Sequence, residues 1–364
     1  MDRALKITNV HIFQYDLPFT KSFSIHNTSL GRREGLLVYV TGADGKTGIG
    51  EIAPLPGLSR EPLKKSLYQT KTLRTKLIGC TVPDSLKELK AFLSGELFGD
   101  SVASVHCGIE AAFIYLIAQR QNKIPAQILD AGDIKDVKTA ALLQGTLPEV
   151  KAAAERFYEE GYRVFKLKVG SKNIPLDVKK TDEVREIIGP KSRLRLDANA
   201  GWSLKEAVAF GELVGTEGIQ FIEDPVRELD AVENFYKKTR LPVALDELLS
   251  GVGPEQFEFP DGARFCVLKP MVAGGIFKTL QWIAKAKDER RKVVISSAFE
   301  SGIGLTMLAN LALLTEEAAG LGTGSWFKDD ILKVPVVQKG GNILKKSLQF
   351  DVSDIKIEHL TLIE

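Results

Sequence analysis

From residue 137 to residue 315, short apolar runs alternate with helical patterns, one pair to roughly every 25 residues. The strand-like runs are 137–143, 163–169, 193–197, 219–223, 242–246, 264–268 and 292–296. Helical periodicity follows at 149–160, 176–188, 203–214, 229–239, 275–288 and 302–315. The run at 242–246 leads instead into a helix-poor stretch containing Pro254 and Pro260. Repeated strand–helix units require parallel strands joined by right-handed crossovers. Seven units exceed one half of a dinucleotide-binding sheet and suit an α/β barrel, with a doubly wound sheet as the alternative.

The chain before this repeat has a different rhythm. Residues 5–17 and 35–42 read as strands joined by a polar loop, and Gly42-Ala43-Asp44-Gly45 is turn chemistry leading to a third strand at 47–51. Helical patterns follow at 60–78, 84–95 and 101–120. The spacing therefore predicts an α+β domain over residues 1–130 and a barrel over 131–330. The tail, 331–364, returns to strand-like alternation around Gly340-Gly341 and is expected to rejoin the first domain or close the barrel.

Charges end most of the barrel runs. Lys166 and Lys168 share strand parity, so both point to the same side while Leu167 packs on the other. Asp197, Glu223 and Asp246 end three successive runs, 26 and 23 residues apart. In a barrel the C-terminal strand ends surround one mouth, so these acids converge there, and Lys269 ends a run on the opposite side. Three oxygen anions from neighbouring strands suit Mg²⁺. The plain alternative is that acids merely terminate strands and cap helices. A lysine beside a cation and a second ammonium is expected to have a lowered pKa and to serve as a base. Asn199 is placed to orient a ligand or water, with Asp224 and Glu247 as supporting partners. Lysine base and oxygen-held metal together fit removal of a proton alpha to a carboxylate.

Other classes are disfavoured. A formal charge of +2 spread along the chain gives no basis for binding nucleic acid or an anionic membrane. No apolar run reaches the roughly 18 residues of a spanning helix, and the chain is expected in the cytoplasm. Cys80, Cys107 and Cys266 lack any paired spacing and read as reduced thiols. His11, His26, His106 and His359 fall outside the barrel runs, which argues against a histidine-held zinc. Ser296 and Ser297 have no histidine partner, so a serine nucleophile is not supported. The amides of Ser301-Gly302-Ile303-Gly304, opening a helix, could receive a substrate carboxylate, although plain capping explains the same letters. Gly320-Leu321-Gly322-Thr323-Gly324 reads as a tight loop able to present N–H groups to an anion.

Taken together, these motifs resemble the enolase superfamily, specifically its muconate-lactonizing subgroup, over nearly the whole chain. Arg33-Glu34-Gly35-Leu36-Leu37 and Gly50-Glu51-Ile52-Ala53-Pro54-Leu55-Pro56-Gly57 are similar to its capping-domain motifs. Lys166-Leu167-Lys168, Asp197-Ala198-Asn199, Phe221-Ile222-Glu223-Asp224-Pro225, Ala244-Leu245-Asp246-Glu247 and Lys269-Pro270 follow in the family's order. Ser296 to Gly304 resembles its late substrate-binding motif. The resemblance implies a modified (β/α)7β TIM-type barrel under an α+β capping domain. It implies Mg²⁺, with Mn²⁺ as an expected substitute, held by Asp197, Glu223 and Asp246. It further implies catalysis by Lys168 and Lys269, with Lys166 in electrostatic support. Asn199, Glu247, Ser297, Ser301 and Gly302 would contact substrate or the ligands, and residues 17–32 would form a closing loop. The implied reaction is syn-dehydration of a small dicarboxylate, 2-succinyl-6-hydroxy-2,4-cyclohexadiene-1-carboxylate, in menaquinone biosynthesis. N-acylamino acid racemisation or dipeptide epimerisation is the alternative. Oligomeric state is not legible in these residues.

Overall fold

The computed structural model describes residues 5–25, 28–95, 98–336 and 338–363. Two long strands, β1 (Ile7–Ile25) and β2 (Thr28–Gly42), pair antiparallel, and β3 (Thr47–Ile52) adds to β2. The C-terminal strand Leu360–Leu362 pairs with the other edge of β1. The first two strands run further than the sequence predicts, with Phe23 opposite Leu30 and Ile25 opposite Thr28. Polar Thr20, Lys21 and Ser22 fall at a register shift between Pro18 and Phe23, which hides the continuation from any alternation rule. The expected closing loop at 17–32 is thus, where described, an extension of this hairpin. His26 and Asn27 lie outside the described residues.

The β2 run Leu36–Val40 is buried on both faces. Strand parity sends Leu36, Val38 and Val40 into one core with the helices, and Leu37 and Tyr39 into a second core against the barrel. The helices are α1 (Leu63–Leu77), α2 (Leu86–Leu93), α3 (Ala103–Arg120) and the single turn α4 (Pro125–Ile128). Except for His106, α3 is buried from Ser104 to Ala118, as its apolar circumference requires. It lies directly on β3, where a Cβ at Gly50 would stand 1.8 Å from the Gly108 carbonyl oxygen. Only glycine permits that approach.

After the short β4 (Val137–Lys138) the barrel begins. Its elements are β5 (Ala141–Leu143), α5 (Leu147–Glu159), β6 (Val164–Lys168), α6 (Ile174–Ile188), β7 (Arg193–Asp197), α7 (Leu204–Val214) and β8 (Ile219–Glu223). They continue with α8 (Leu229–Thr239), β9 (Val243–Leu245), β10 (Ala263–Leu268), α9 (Pro270–Ala273), α10 (Ile276–Asp288), β11 (Lys292–Ile295) and α11 (Gly302–Ala312). The strands β5 to β11 form one parallel sheet in sequence order. Local signals are plain in places. Ser203 caps α7, accepting from the Glu206 amide while the Glu206 carboxylate accepts from the Ser203 amide.

Residues 319–320 close the barrel as its eighth stave. Ala140 donates to the Ala319 carbonyl at 2.9 Å, and Gly320 donates to Ile295 at 2.8 Å. The glycine-rich piece read as an anion loop therefore begins as a barrel stave, bridging Ser296 on one side and Thr139 on the other. Inside, Phe221, Ala244, Phe265, Val267 and Val294 pack as one layer. Arg195, 2% exposed, lies over Phe221 and donates to the Ala318 carbonyl at 2.7 Å. Among the described residues no helix is long and apolar enough to cross a membrane.

Candidate active site

The parallel register sets the site. Lys168 is paired with Asp197 across β6 and β7, and Asp197 with Glu223 across β7 and β8. Asp246 follows the last residue of β9, and Lys269 the last residue of β10. In an eight-stave ring opened by β5, Lys168 sits on the second stave and Lys269 on the sixth, across the mouth from each other. Both line one cavity of about 430 Å³, together with Lys166, Asp197, Asn199, Asp246 and Glu247. Glu223 is 1% exposed and lies beneath this lining, bonded to Lys166 at 2.8 Å.

The charges form a continuous network. Lys166 bridges Asp197 at 2.7 Å and Glu223 at 2.8 Å. Lys168 donates to Asp197 at 2.7 Å and to the Asn199 side-chain oxygen at 2.6 Å. Lys269 pairs with Asp246. Asp224 accepts from the amides of Asp246 at 3.2 Å and Glu247 at 2.7 Å, which fixes the turn carrying both acids. Asn199, Ala200 and Asp224 all hold left-handed backbone just past the ends of β7 and β8. Strain of this kind persists where the surroundings over-determine a functional geometry.

Burial opposes ionisation of Asp197, yet the Lys166 and Lys168 ammoniums outweigh it and hold its carboxyl well below the usual range. Burial and the neighbouring Asp197 charge push Glu223 up to about 8. Burial also raises Asp246, with Glu247 adding to it against Lys269. Burial works against the charged forms of Lys166 and Lys269, but the surrounding carboxylates more than offset it, so both are held above the ordinary lysine value. The expectation of a lowered lysine pKa was framed for a site holding a cation, whereas here the carboxylates bind the ammoniums directly. With the acids free to pair with them, the ammoniums are stabilised.

Among the described residues no three carboxylates, histidines or cysteines stand in a ready ligand cluster, because lysine ammoniums take the carboxylate oxygens. The donor set nevertheless fits a hard divalent cation. Asp197, Glu223, Asp246 and Glu247 outnumber Lys166, Lys168 and Lys269, and every available acidic donor is oxygen. The Glu247 Oε2 atom is buried without a hydrogen-bond partner. A cation between these acids would compete with Lys166 and Lys269 for the same oxygens.

The remaining expected contacts divide. Asn199, Glu247 and Ser297 line the cavity, and Ser297 shares a 2.7 Å hydrogen bond with Thr323. Ser301 and Gly302 are not among the lining residues. Their amides donate to Glu51 at 2.9 Å and to Asp330 at 2.8 Å, so the first turn of α11 is already filled by protein carboxylates. Phe23, Leu55 and Trp326 line the cavity, while Phe19 stacks behind them on Phe327. Sequence reasoning missed Gln144 and Leu58 as lining residues, while Phe299, inside the Ser296 to Gly304 motif, lines the cavity too. Gln144 follows β5, so the rule that found Asp197, a polar residue ending an apolar stave, would have found it too. Leu58 sits in an irregular loop just past the Gly50 to Gly57 motif and carries no such signal.

A second acidic group lies just behind the cavity. Glu300 is 1% exposed, its Oε1 atom has no partner, and its Oε2 accepts from the Ala298 amide at 2.6 Å. Burial and the Glu51 charge, opposed by Arg33, push it up to about 7 from 4.5. A carboxyl whose folded-state pKa is raised contributes stability below its unfolded value and loses it as pH rises through the folded one. Unfolding free energy should therefore fall between pH 5 and pH 8 by about 2 kcal/mol more in the natural protein than in Glu300→Gln. Urea titrations at the two pH values measure this, and parallel losses in both proteins would refute it.

Comparisons with known proteins bear on the family and the fold. The family described as "Enolase C-terminal domain-like" matches residues 149–346, and "MenC, N-terminal domain" matches residues 7–113. The chain is 31% identical over 341 residues to "Protein PHYLLO, chloroplastic" of Arabidopsis thaliana, covering 82% of this chain but only 20% of that protein's length. It is 30% identical to the o-succinylbenzoate synthase of Aliivibrio salmonicida, covering 83% of this chain and 85% of the relative. The fold matches a dipeptide epimerase from Cytophaga hutchinsonii, solved with Mg and the dipeptide D-Ala-L-Val, at a TM-score of 0.79. That match has 24% identity and covers 93% of this chain and 92% of the other.

Proposed function

The chain belongs to the enolase superfamily, and from that membership we propose that it catalyses the syn-dehydration of 2-succinyl-6-hydroxy-2,4-cyclohexadiene-1-carboxylate to 2-succinylbenzoate and water. This is the carbon–oxygen lyase reaction of o-succinylbenzoate synthases, and the reading places the protein in the cytoplasm and in menaquinone biosynthesis. The observation that carries it is the pair of lysines, Lys168 and Lys269, facing one cavity from opposite staves beside a bed of acids. Relatives named o-succinylbenzoate synthase, at about 30% identity over most of both chains, support the same choice.

Asp197, Glu223 and Asp246 would hold Mg²⁺, which when bound would neutralise the substrate carboxylate and acidify the neighbouring carbon. Lys168 removes the proton from that carbon, and Asn199 fixes the amine through its side-chain oxygen. The Lys269 ammonium stabilises the resulting enediolate from the far side of the ring. Lys168 then returns its proton to the departing hydroxide, so water leaves and the ring becomes aromatic. Lys166, held between Asp197 and Glu223, keeps Asp197 ionised and positions both acids. The apolar walls, Phe23, Leu55, Leu58 and Phe299, exclude bulk water from the ring.

Opposed lysines equally suit 1,1-proton transfer, so racemisation of N-acylamino acids or epimerisation of dipeptides is the second reading. The deciding assay incubates the purified protein and Mg²⁺ with the cyclohexadiene, and separately with N-succinyl amino acids in heavy water. Aromatisation with slow or absent deuterium incorporation supports the synthase. Rapid alpha-deuteration without aromatisation overturns it in favour of the racemase.

A further inference from the structure

Arg33 is a buried charge that the proposed chemistry does not use. It sits on β2, 1% exposed, and every hydrogen bond of its guanidinium goes to a main-chain carbonyl. Nε donates to Phe299 at 2.9 Å, and one terminal nitrogen donates to Pro54 at 2.9 Å and Glu34 at 3.1 Å. The other terminal nitrogen donates to Ala298 at 3.2 Å and to Ala53. The buried carboxyl of Glu300 feels this charge without being bonded to it.

These carbonyls come from two walls of the same cavity. Ala53 and Pro54 open the loop that carries Leu55 and Leu58 to the ligand space. Ala298 and Phe299 follow β11 on the barrel side, and both line that space directly. Phe299 holds a left-handed backbone, φ 57°, which a bulky residue adopts only when held there. Its ring packs at 4.7 Å from Phe23 and 5.4 Å from Trp326. One planar fork therefore fastens the capping loop to the barrel loop and fixes the aromatic wall between them. A lysine has the charge but lacks the rigid set of five donors.

We propose that Arg33 is a positioning residue that sets the separation of the two cavity walls, and hence substrate binding, without taking part in proton transfer. Arg33→Lys should raise KM for the cyclohexadiene about tenfold and leave kcat within about threefold. This kinetic arm rests on the reaction proposed above. A second arm does not, because Trp326 is half-buried in the aromatic wall while Trp202 and Trp282 are fully buried. Acrylamide quenching of tryptophan fluorescence should increase in Arg33→Lys, and the increase should vanish when Trp326→Phe is added.

Unchanged KM together with unchanged quenching overturns the proposal. So does a tenfold fall in kcat at constant KM, which would place Arg33 in the chemistry. If the natural protein turns over no cyclohexadiene, the reaction assignment fails and the quenching arm alone decides the role of Arg33. Should Arg33→Lys not fold, hydrogen exchange of the natural protein in mild denaturant decides instead. Amides of Leu55, Leu58 and Ser59 should open together with those of Ser297 and Ala298, and independent opening refutes the latch.

Discussion

Lys168→Ala is expected to lower kcat for dehydration by about a thousandfold or more, because in the proposed mechanism one amine both takes the proton and returns it to the leaving hydroxide. Its fold should survive. Lys168 reaches the open cavity, and its removal does not orphan Asp197, which keeps Lys166 at 2.7 Å. Asn199 retains the Glu247 carboxylate at 3.3 Å as a partner for its amide nitrogen. The stability cost should therefore be about 1 kcal/mol, the scale of a partly exposed ion pair. Lys168→Arg should not restore turnover, since a guanidinium cannot release its proton at neutral pH. Stopped-flow absorbance of ring aromatisation, with a thermal melt of each variant, gives both numbers. A folded Lys168→Ala protein with turnover within tenfold of the natural one would remove Lys168 as the base.

Much of this site was legible because a barrel converts sequence period into spatial convergence. Once the βα repeat was recognised, Lys168, Asp197 and Glu223 had to fall on neighbouring staves at equivalent heights, and the register pairs them directly. What was not legible depends on contacts between segments far apart in sequence. Ser301 and Gly302 have the letters of an anion-binding helix start. Whether those amides are free depends on Glu51, 250 residues away from Ser301, reaching across from β3. The eighth stave escaped notice for a related reason. Residues 319–320 make only two bridges, too short a run to show alternation, and the ladder is set by the strands on either side. The direct pairing of Lys166 and Lys269 with the acids was likewise not legible, because the reading placed a cation between them and no sequence rule says which carboxylate oxygens an ammonium takes in its place.

Asp197→Asn should weaken Mg²⁺ binding on the order of a hundredfold and lower turnover with it, the scale expected when a ligating carboxylate loses its charge. Asp197 is the acid on which the network centres, accepting from both Lys166 and Lys168. An asparagine keeps the shape and one acceptor, and Lys166 retains Glu223 at 2.8 Å, so the barrel should still close. Two effects then separate. In the natural protein, chelation with EDTA should abolish dehydration and Mg²⁺ should restore it, while added Mg²⁺ raises the melting temperature by preferential binding to the folded state. In Asp197→Asn that rise should appear only at far higher Mg²⁺ concentration, a readout independent of turnover. If the melting temperature responds to Mg²⁺ identically in both proteins, Asp197 is not a ligand. The 2.7 Å pairing with Lys166 and Lys168 would then be its whole role, as the anion that holds two ammoniums side by side at the mouth.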